Sequence, residues 1–378
     1  MKVLWFIESL SLGGQQTQSI NLIKELKKRT DLFIEVAYFN NGPLEKEFTE
    51  VADLIFQIKE LNVKSYQNPF YILKTLNFLR KTIKVNNYDI VISNGIISFG
   101  LTSIVKLFLS FKHIRLLGGP LLDIEPTYEK YFHKILPFHK RVDVVFGWGG
   151  KNVRENIRYN KKLKIMPPAV DTSMFFSFSQ KEKLQIREKF EIKEDEIVIG
   201  WVGRIAANMQ IDNTIKLGAE LKRRGINNFK LLIVGGGNWE SEMLQMIEDL
   251  NLKSHCIYLG WQPMEDIPKL FQAMDIVPLL EDDPVGGSIV REAMATGALV
   301  LTVDGVSKGQ TSWVNNNKNG ILVSSRDYLN LAADVIEDYA LNKKKYDIIT
   351  KNGVIYAKEE MSFFNQSEFI YKEGILND

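Results

Sequence analysis

Apolar residues follow two rhythms along the 378-residue chain. Short continuous apolar runs alternate with longer stretches in which apolar positions return every three or four residues. The runs predict strands buried on both faces, which have no polar side to show. Val3–Ile7, Phe33–Phe39, Asp89–Ile92 and Val142–Phe146 form a first set. Thr17–Lys28 predicts a helix, with Ile20, Leu22, Ile23 and Leu26 inward and Lys24, Glu25, Lys27 and Lys28 outward. Ile165-Met166-Pro167-Pro168 ends this set, because paired prolines cannot continue a helix, and the polar stretch Ser177–Glu196 follows. Alternation then restarts, with strands predicted at Ile197–Val202, Lys230–Val234, Ile257–Leu259, Ile276–Leu280 and Leu299–Val303. Helices are predicted at Ile211–Arg224 and Trp239–Leu250. Strands alternating with helices in this way predict two doubly wound α/β domains sharing a cleft, with the boundary near 165–190.

Length agrees, since 378 residues make two domains or a little more at roughly 150 residues each. The composition, 45% hydrophobic and 25% charged, is that of an ordinary globular chain and excludes a disordered one. The single cysteine, Cys256, excludes a disulfide scaffold and reads as a core residue. With only four histidines beside it, a dedicated zinc site is not expected. The apolar start Met1–Ile7 meets Glu8 too soon for a signal peptide, and the apolar stretch 96–117 is interrupted by Lys106, Lys112 and Arg115. The expectation is a chain without a membrane span in a reducing, cytoplasmic compartment. A net charge of +2 hides an asymmetry: residues 1–164 hold 25 Lys and Arg against 15 Asp and Glu, a balance of +10, leaving −8 for the rest. The first half therefore suits an anionic lipid or an anionic substrate.

Three places suit phosphate or sugar chemistry. Gly13-Gly14 follows the first strand, where glycines let backbone N–H groups approach a phosphate at a helix N-terminus; a plain tight turn fits equally well. Gly203-Arg204 follows the Ile197–Val202 strand, placing a guanidinium at the edge where open α/β sheets bind ligands. The third stretch, Glu281-Asp282-Asp283-Pro284-Val285-Gly286-Gly287-Ser288, leads into a helix carrying Glu292. A carboxylate there can accept hydrogen bonds from ribose hydroxyls, and the amides at the helix start can cradle a phosphate. Gly235-Gly236-Gly237 lacks the dinucleotide-binding spacing and reads as a turn.

In this order the motifs resemble the retaining, nucleotide-sugar-dependent glycosyltransferases of GT-B fold, family 4 type. The resemblance rests on Gly13-Gly14, Pro167-Pro168-Ala169-Val170-Asp171, Gly203-Arg204, Leu231–Gly237, Gly260-Trp261, Ala273–Ile276, Glu292–Gly297 and Asn319–Val323. It implies two Rossmann-like domains facing a central cleft: an acceptor-binding domain over 1–170 and a donor-binding domain over 171–360, with residues 361–378 forming a helix that crosses back to the first. It implies that Arg204, Asp283 and Glu292 carry the chemistry and that Gly13, Gly14, Gly203, Gly286, Gly287 and Ser288 bind the donor. Arg204 matches the phosphate-binding arginine and Glu292 the ribose-holding glutamate, while Asp283 stands near the donor sugar. The donor is expected to be a UDP or GDP sugar, with no cofactor and no metal required. The chain departs from the pattern at Met209 and Gln210, where the family has Lys-Gly, and at Pro284, where it has the first glutamate of its acidic pair. No histidine stands in Leu117-Gly118-Gly119-Pro120, where the family often has one.

The implied activity is sugar transfer, with retention, to a saccharide or lipid-linked saccharide in surface polysaccharide or glycan biosynthesis. The alternative is a catalytically degenerate partner protein that binds carbohydrate or another transferase; a nucleotide-sugar epimerase of the same fold suits the motif order less well. Basic residues interleave with aromatic ones around Phe70–Lys84 and between Lys106 and Lys164, where 13 Lys and Arg face 5 Asp and Glu. Such stretches suit an anionic membrane surface at the inner face of the cell membrane, and nothing resembles a nucleic-acid module.

Overall fold

A computed structural model describes residues 1–59, 69–117, 140–147, 162–280, 287–304 and 313–377 of the chain. It divides into two compact units, residues 1–167 with 363–378, and residues 168–362.

The first unit is built on a seven-stranded parallel sheet: β1 (Lys2–Ser9), β2 (Phe33–Asn40), β3 (Leu54–Gln57), β4 (Ile90–Asn94), β5 (Lys112–Leu116), β6 (Val144–Gly147) and β7 (Leu163–Ile165). The spatial order is β3-β2-β1-β4-β5-β6-β7, so the winding reverses between β1 and β4. Helices α1 (Gly14–Leu26), α2 (Glu45–Val51), α3 (Pro69–Asn86) and α4 (Ile96–Val105) connect the earlier strands. The unbroken apolar run of β1 has a direct cause. Val3, Trp5 and Ile7 pack into one core with α1, while Leu4 and Phe6 pack into another with α3 and α4. A strand with covered faces on both sides leaves no position for a polar alternate.

The second unit has a six-stranded parallel sheet: β8 (Ile197–Val202), β9 (Phe229–Val234), β10 (Cys256–Tyr258), β11 (Ile276–Leu279), β12 (Leu299–Asp304) and β13 (Ile321–Ser324). The order β10-β9-β8-β11-β12-β13 reverses between β8 and β11. Its helices are α5 (Gln180–Glu188), α6 (Ile211–Arg223), α7 (Glu240–Asp249), α8 (Ile267–Ala273), α9 (Gly287–Thr296), α10 (Tyr328–Leu341) and α11 (Lys343–Glu360). The expected α/β class with two doubly wound domains holds.

Three details go beyond the hydrophobic pattern. The apolar stretch 96–117 divides into α4 and β5, with Lys106 at the helix end and Lys112 opening the strand. The polar stretch 177–196 contains α5, which a reciprocal cap starts: the Ser179 hydroxyl accepts from Glu182 N while the Glu182 carboxylate accepts from Ser179 N. Last, α12 (Phe363–Ile370) and the turn after it belong to the first unit. Ile370, Tyr371 and Ile375 enter its core beside Phe146, and Gln366 donates to Pro167 O at 2.6 Å.

Candidate active site

Ligands of open parallel sheets bind beyond the strand ends where the winding reverses. In the second unit that place lies at the ends of β8 and β11. After β8, Gly203 N donates to Val234 O at 3.0 Å and Ile205 N to Gly236 O at 3.0 Å, strapping the loop to Gly235–Gly237. The glycines are needed for so close an approach. A Cβ on Gly235 (φ +132°) would stand 1.8 Å from Gly203 O, and one on Gly237 would stand 2.0 Å from Ile205 O. The triplet read from sequence as a turn is therefore the support that fixes the Arg204 loop. Arg204 itself is exposed and makes no hydrogen bond or ion pair with a described residue.

Beyond it, Met209 packs against the core of the unit and Gln210 adopts the left-handed conformation (φ +52°) just before α6. That conformation favours glycine, the residue the motif usually has there. The buried Asn213 then ties three elements together. Its amide donates to Leu280 O at 2.5 Å, and its carbonyl oxygen accepts from Tyr328 Oη at 3.1 Å. Leu280 is the last residue before the acidic loop, so Asn213 anchors the root of that loop.

Asp283 and Gly286 lie outside the described residues, as does Pro284. Gly287 opens α9 and Ser288 is exposed at its start. Glu292 stands in the second turn of α9, half-buried, and accepts no hydrogen bond from a described residue. Burial pushes its carboxyl up to about 7, and the adjacent Arg291 offsets only part of this. Burial likewise lowers Arg291 to about 10, against the pull of Glu292. Gly297 (φ +86°) ends the helix.

In the first unit the winding reverses at the ends of β1 and β4. Gly13 is extended and its carbonyl accepts from Gln16 N and Thr17 N, so α1 starts at the predicted glycine pair. A Cβ on Gly14 would meet nothing within 4 Å. The opposite holds at Gly95 (φ +145°), where a Cβ would stand 2.4 Å from Glu8 Oε1. That carboxylate accepts from Ile97 N at 2.6 Å and Ser98 N at 3.4 Å, capping α4. Burial raises the Glu8 carboxyl, and these two amides and Arg115 pull it back. Beside it, Asn94 Oδ1 accepts from Gln15 and Asn94 Nδ2 donates to Ser19 Oγ at 2.7 Å. Sequence reasoning missed Glu8, Gln15, Asn94 and Asn213; the one available signal was a charge closing an otherwise apolar strand at Glu8.

Two other groups are inert. His113 is fully buried, pairs through Nε2 with Ser93 Oγ at 2.9 Å and is pushed down to about 3 by desolvation, so it stays neutral. Burial lifts the Cys256 thiol to about 11, which removes it as a nucleophile at neutral pH. Among the described residues no three His, Cys, Asp or Glu side chains gather to hold a metal ion.

Comparison with known proteins bears on this arrangement. Residues 182–354 match the family of group 1 glycosyl transferases. That span holds the Arg204 loop, Asn213, α9 and the glycine triplet. An uncharacterized glycosyltransferase of Methanocaldococcus jannaschii, MJ1607, is 25% identical over 199 residues, covering 50% of each chain. A GDP-mannose-dependent α-(1-6)-phosphatidylinositol monomannoside mannosyltransferase of Mycolicibacterium smegmatis is 27% identical over 173 residues, covering 44% of each. The chain thus spans half or less of these curated relatives. Among solved structures, Anabaena HepE in complex with UDP superposes with a TM-score of 0.79 over 98% of this chain and 99% of its own, at 18% identity. HepE has also been solved with UDP-glucose. The two-unit fold is that of GT-B glycosyltransferases.

Proposed function

We propose that the protein transfers a sugar from a nucleoside-diphosphate sugar of UDP or GDP type to a hydroxyl of a saccharide or lipid-linked saccharide. Transfer proceeds with retention, in surface polysaccharide or glycan biosynthesis, at the cytoplasmic side of the cell. The observation that carries this reading is the Arg204 loop. An exposed guanidinium without a described partner stands on a rigid strap at the winding reversal of the unit that matches the glycosyl transferase family. The UDP complexes of HepE and the GDP-mannose donor named for the mycobacterial relative support the donor class.

In this reading Arg204 holds the diphosphate bidentately, helped by the amides of Gly286, Gly287 and Ser288 at the start of α9. Glu292 accepts from the ribose hydroxyls, Asp283 contacts the donor sugar, and Gly13, Gly14 and Gly203 let backbone approach the donor closely. The bond from the anomeric carbon to the phosphate oxygen breaks and one to the acceptor oxygen forms. The acceptor's hydroxyl proton leaves with the nucleoside diphosphate. Arg204 and the helix N-terminus offset the charge of the leaving group, so the reaction needs no metal and no cofactor.

A second reading, a non-catalytic partner protein that binds carbohydrate or another transferase, draws on Met209. That side chain lies against the apolar core at the position where the motif has lysine. Calorimetric titration of UDP, GDP and their sugars, in EDTA, separates the two. One nucleotide should bind the wild type at micromolar concentration, and Arg204→Ala should weaken it by about a hundredfold, about 3 kcal/mol. Transfer or donor hydrolysis must accompany binding. A folded protein that binds no nucleotide would overturn the enzyme reading in favour of the partner.

A further inference from the structure

One buried amide joins three separate parts of the second unit. Asn213 lies in the first turn of α6, 5% exposed, between the buried Ile211 and Ile215. Its Nδ2 donates to Gln210 Oε1 at 3.1 Å and to Leu280 O at 2.5 Å, while Oδ1 accepts from Tyr328 Oη at 3.1 Å. A carbonyl can only accept, so Leu280 O fixes which end of the amide carries the nitrogen. Each partner stands at the strand-end edge where ligands of an open parallel sheet bind. Gln210 closes the loop that carries Arg204 after β8, Leu280 follows β11, and Tyr328 opens α10 beyond β13.

The winding reverses between β8 and β11, and these two neighbours are loosely joined. Their ladder pairs one position, Ile276 with Ile199, at the start of β11, whereas β8 and β9 pair at six. Toward the ligand edge Asn213 is a tie across the gap, with Gln210 on the β8 side and Leu280 on the β11 side. A side chain placed there for packing alone would be apolar, and one serving the helix alone would stop at Gln210. Asn213 instead reaches partners 67 and 115 residues further on. We infer that Asn213 is a positioning residue of the donor site, setting the separation of the β8 and β11 ends and so aligning the nucleotide sugar for cleavage without touching it. The inference rests on the proposed transfer reaction, in which the diphosphate lies against the Arg204 loop and the sugar toward the chain that follows Leu280. The Arg204 loop has its own supports in Val234 O and Gly236 O, so losing Asn213 should leave the hold on the diphosphate and misplace the other half of the donor. A misplacement of about 1 Å at the reacting atoms costs about a hundredfold in rate.

The test compares N213A and Y328F with a control, Q272A. Gln272 is another buried amide of the same unit, accepting from Phe178 N at 3.0 Å and donating to Phe176 O, but it lies just before β11 begins, at the opposite edge of the sheet. Calorimetry reads the binding of UDP and GDP. Release of nucleoside diphosphate from UDP-glucose and GDP-mannose, with water as the acceptor, reads turnover. In N213A the nucleotide that wild type binds should keep its affinity within about twofold, while kcat falls about a hundredfold. Y328F keeps the ring and loses only the hydroxyl that orients the amide, so kcat should fall about fivefold. Q272A should match wild type in both readouts even where it melts lower. Circular dichroism and melting establish folding, and should N213A not fold, Y328F decides. Folded variants with the kcat of wild type would overturn the inference. So would a kcat that falls together with nucleotide affinity, or one that falls equally in Q272A. Wild type that binds no nucleotide, or binds one without turnover, would overturn the transfer reading and this inference with it.

Discussion

Glu292 is the side chain on which pH acts most directly. Its carboxyl sits at about 7 in the folded protein against an ordinary 4.5, because burial disfavours its charge. Between those values the folded state keeps a proton that the unfolded chain has released, so stability falls as pH rises from 4.5 to about 7 and is unaffected by this group below that window. In Glu292→Gln the group is neutral at every pH and the fall disappears. Urea midpoints taken across the window should therefore decline in wild type more than in the variant, and parallel curves would refute the assignment. Arg204 and Glu292 stand out in the sequence as candidates because each belongs to an ordered series of motifs. Glu8 and Asn213 do not. The partners of Glu8 are amides 89 and 90 residues away, and the carbonyl that Asn213 holds lies 67 residues on, so neither role exists until the strands are ordered.

At the scale of elements, α4 begins after Gly95 and α1 begins with Gly14, and the two glycines differ in what they do. Gly95→Ala puts a Cβ into the Glu8 carboxylate at a positive φ and should cost about 3 kcal/mol or more of stability. Gly14→Ala adds a methyl where nothing lies within 4 Å, at the first position of α1, and should leave stability within about 0.5 kcal/mol. If Gly14 meets the donor as proposed, the added methyl should slow transfer from the nucleotide sugar. Denaturation curves and the transfer assay, run on both variants, read these outcomes; a Gly14→Ala protein with full activity would leave that glycine a mere turn. Strands β1, β2, β4, β6 and β8 to β12 were legible from their apolar runs, whereas the short β3, β5, β7 and β13 were not. Helix α5 was not, because its nine residues are mostly polar and a capping box, rather than an apolar face, marks its start. Nor was the duty of Gly235–Gly237, which spacing could not distinguish from a turn. Only the 1.8 Å that a Cβ would leave to Gly203 O reveals it.

For the molecule as a whole, the first unit is completed by the end of the chain. Ile370, Tyr371 and Ile375 lie in its core. Tyr371 Oη donates to Asp31 at 2.5 Å and stacks under the Arg29 guanidinium, 3.7 Å from the ring centre. Burying three such side chains is worth roughly 1.5–3 kcal/mol each, a large share of the stability of one domain. A fragment of residues 1–167 should therefore remain largely unfolded, and a peptide of residues 363–378 added in trans should restore a cooperative melt. A fragment that melts cooperatively by itself would contradict this. The apolar residues of 363–378 were visible in the sequence, but amphipathicity alone does not say which unit a helix covers.

That return of the chain has a consequence during synthesis. Residues 168–362 are made after the first 167 and before α12 exists. At about 5–20 residues per second the first unit waits roughly 10–40 s with its last core positions empty. Of the two units the one begun earlier is thus the later to finish folding, and a chaperone acting on the nascent chain has most to protect in residues 1–167.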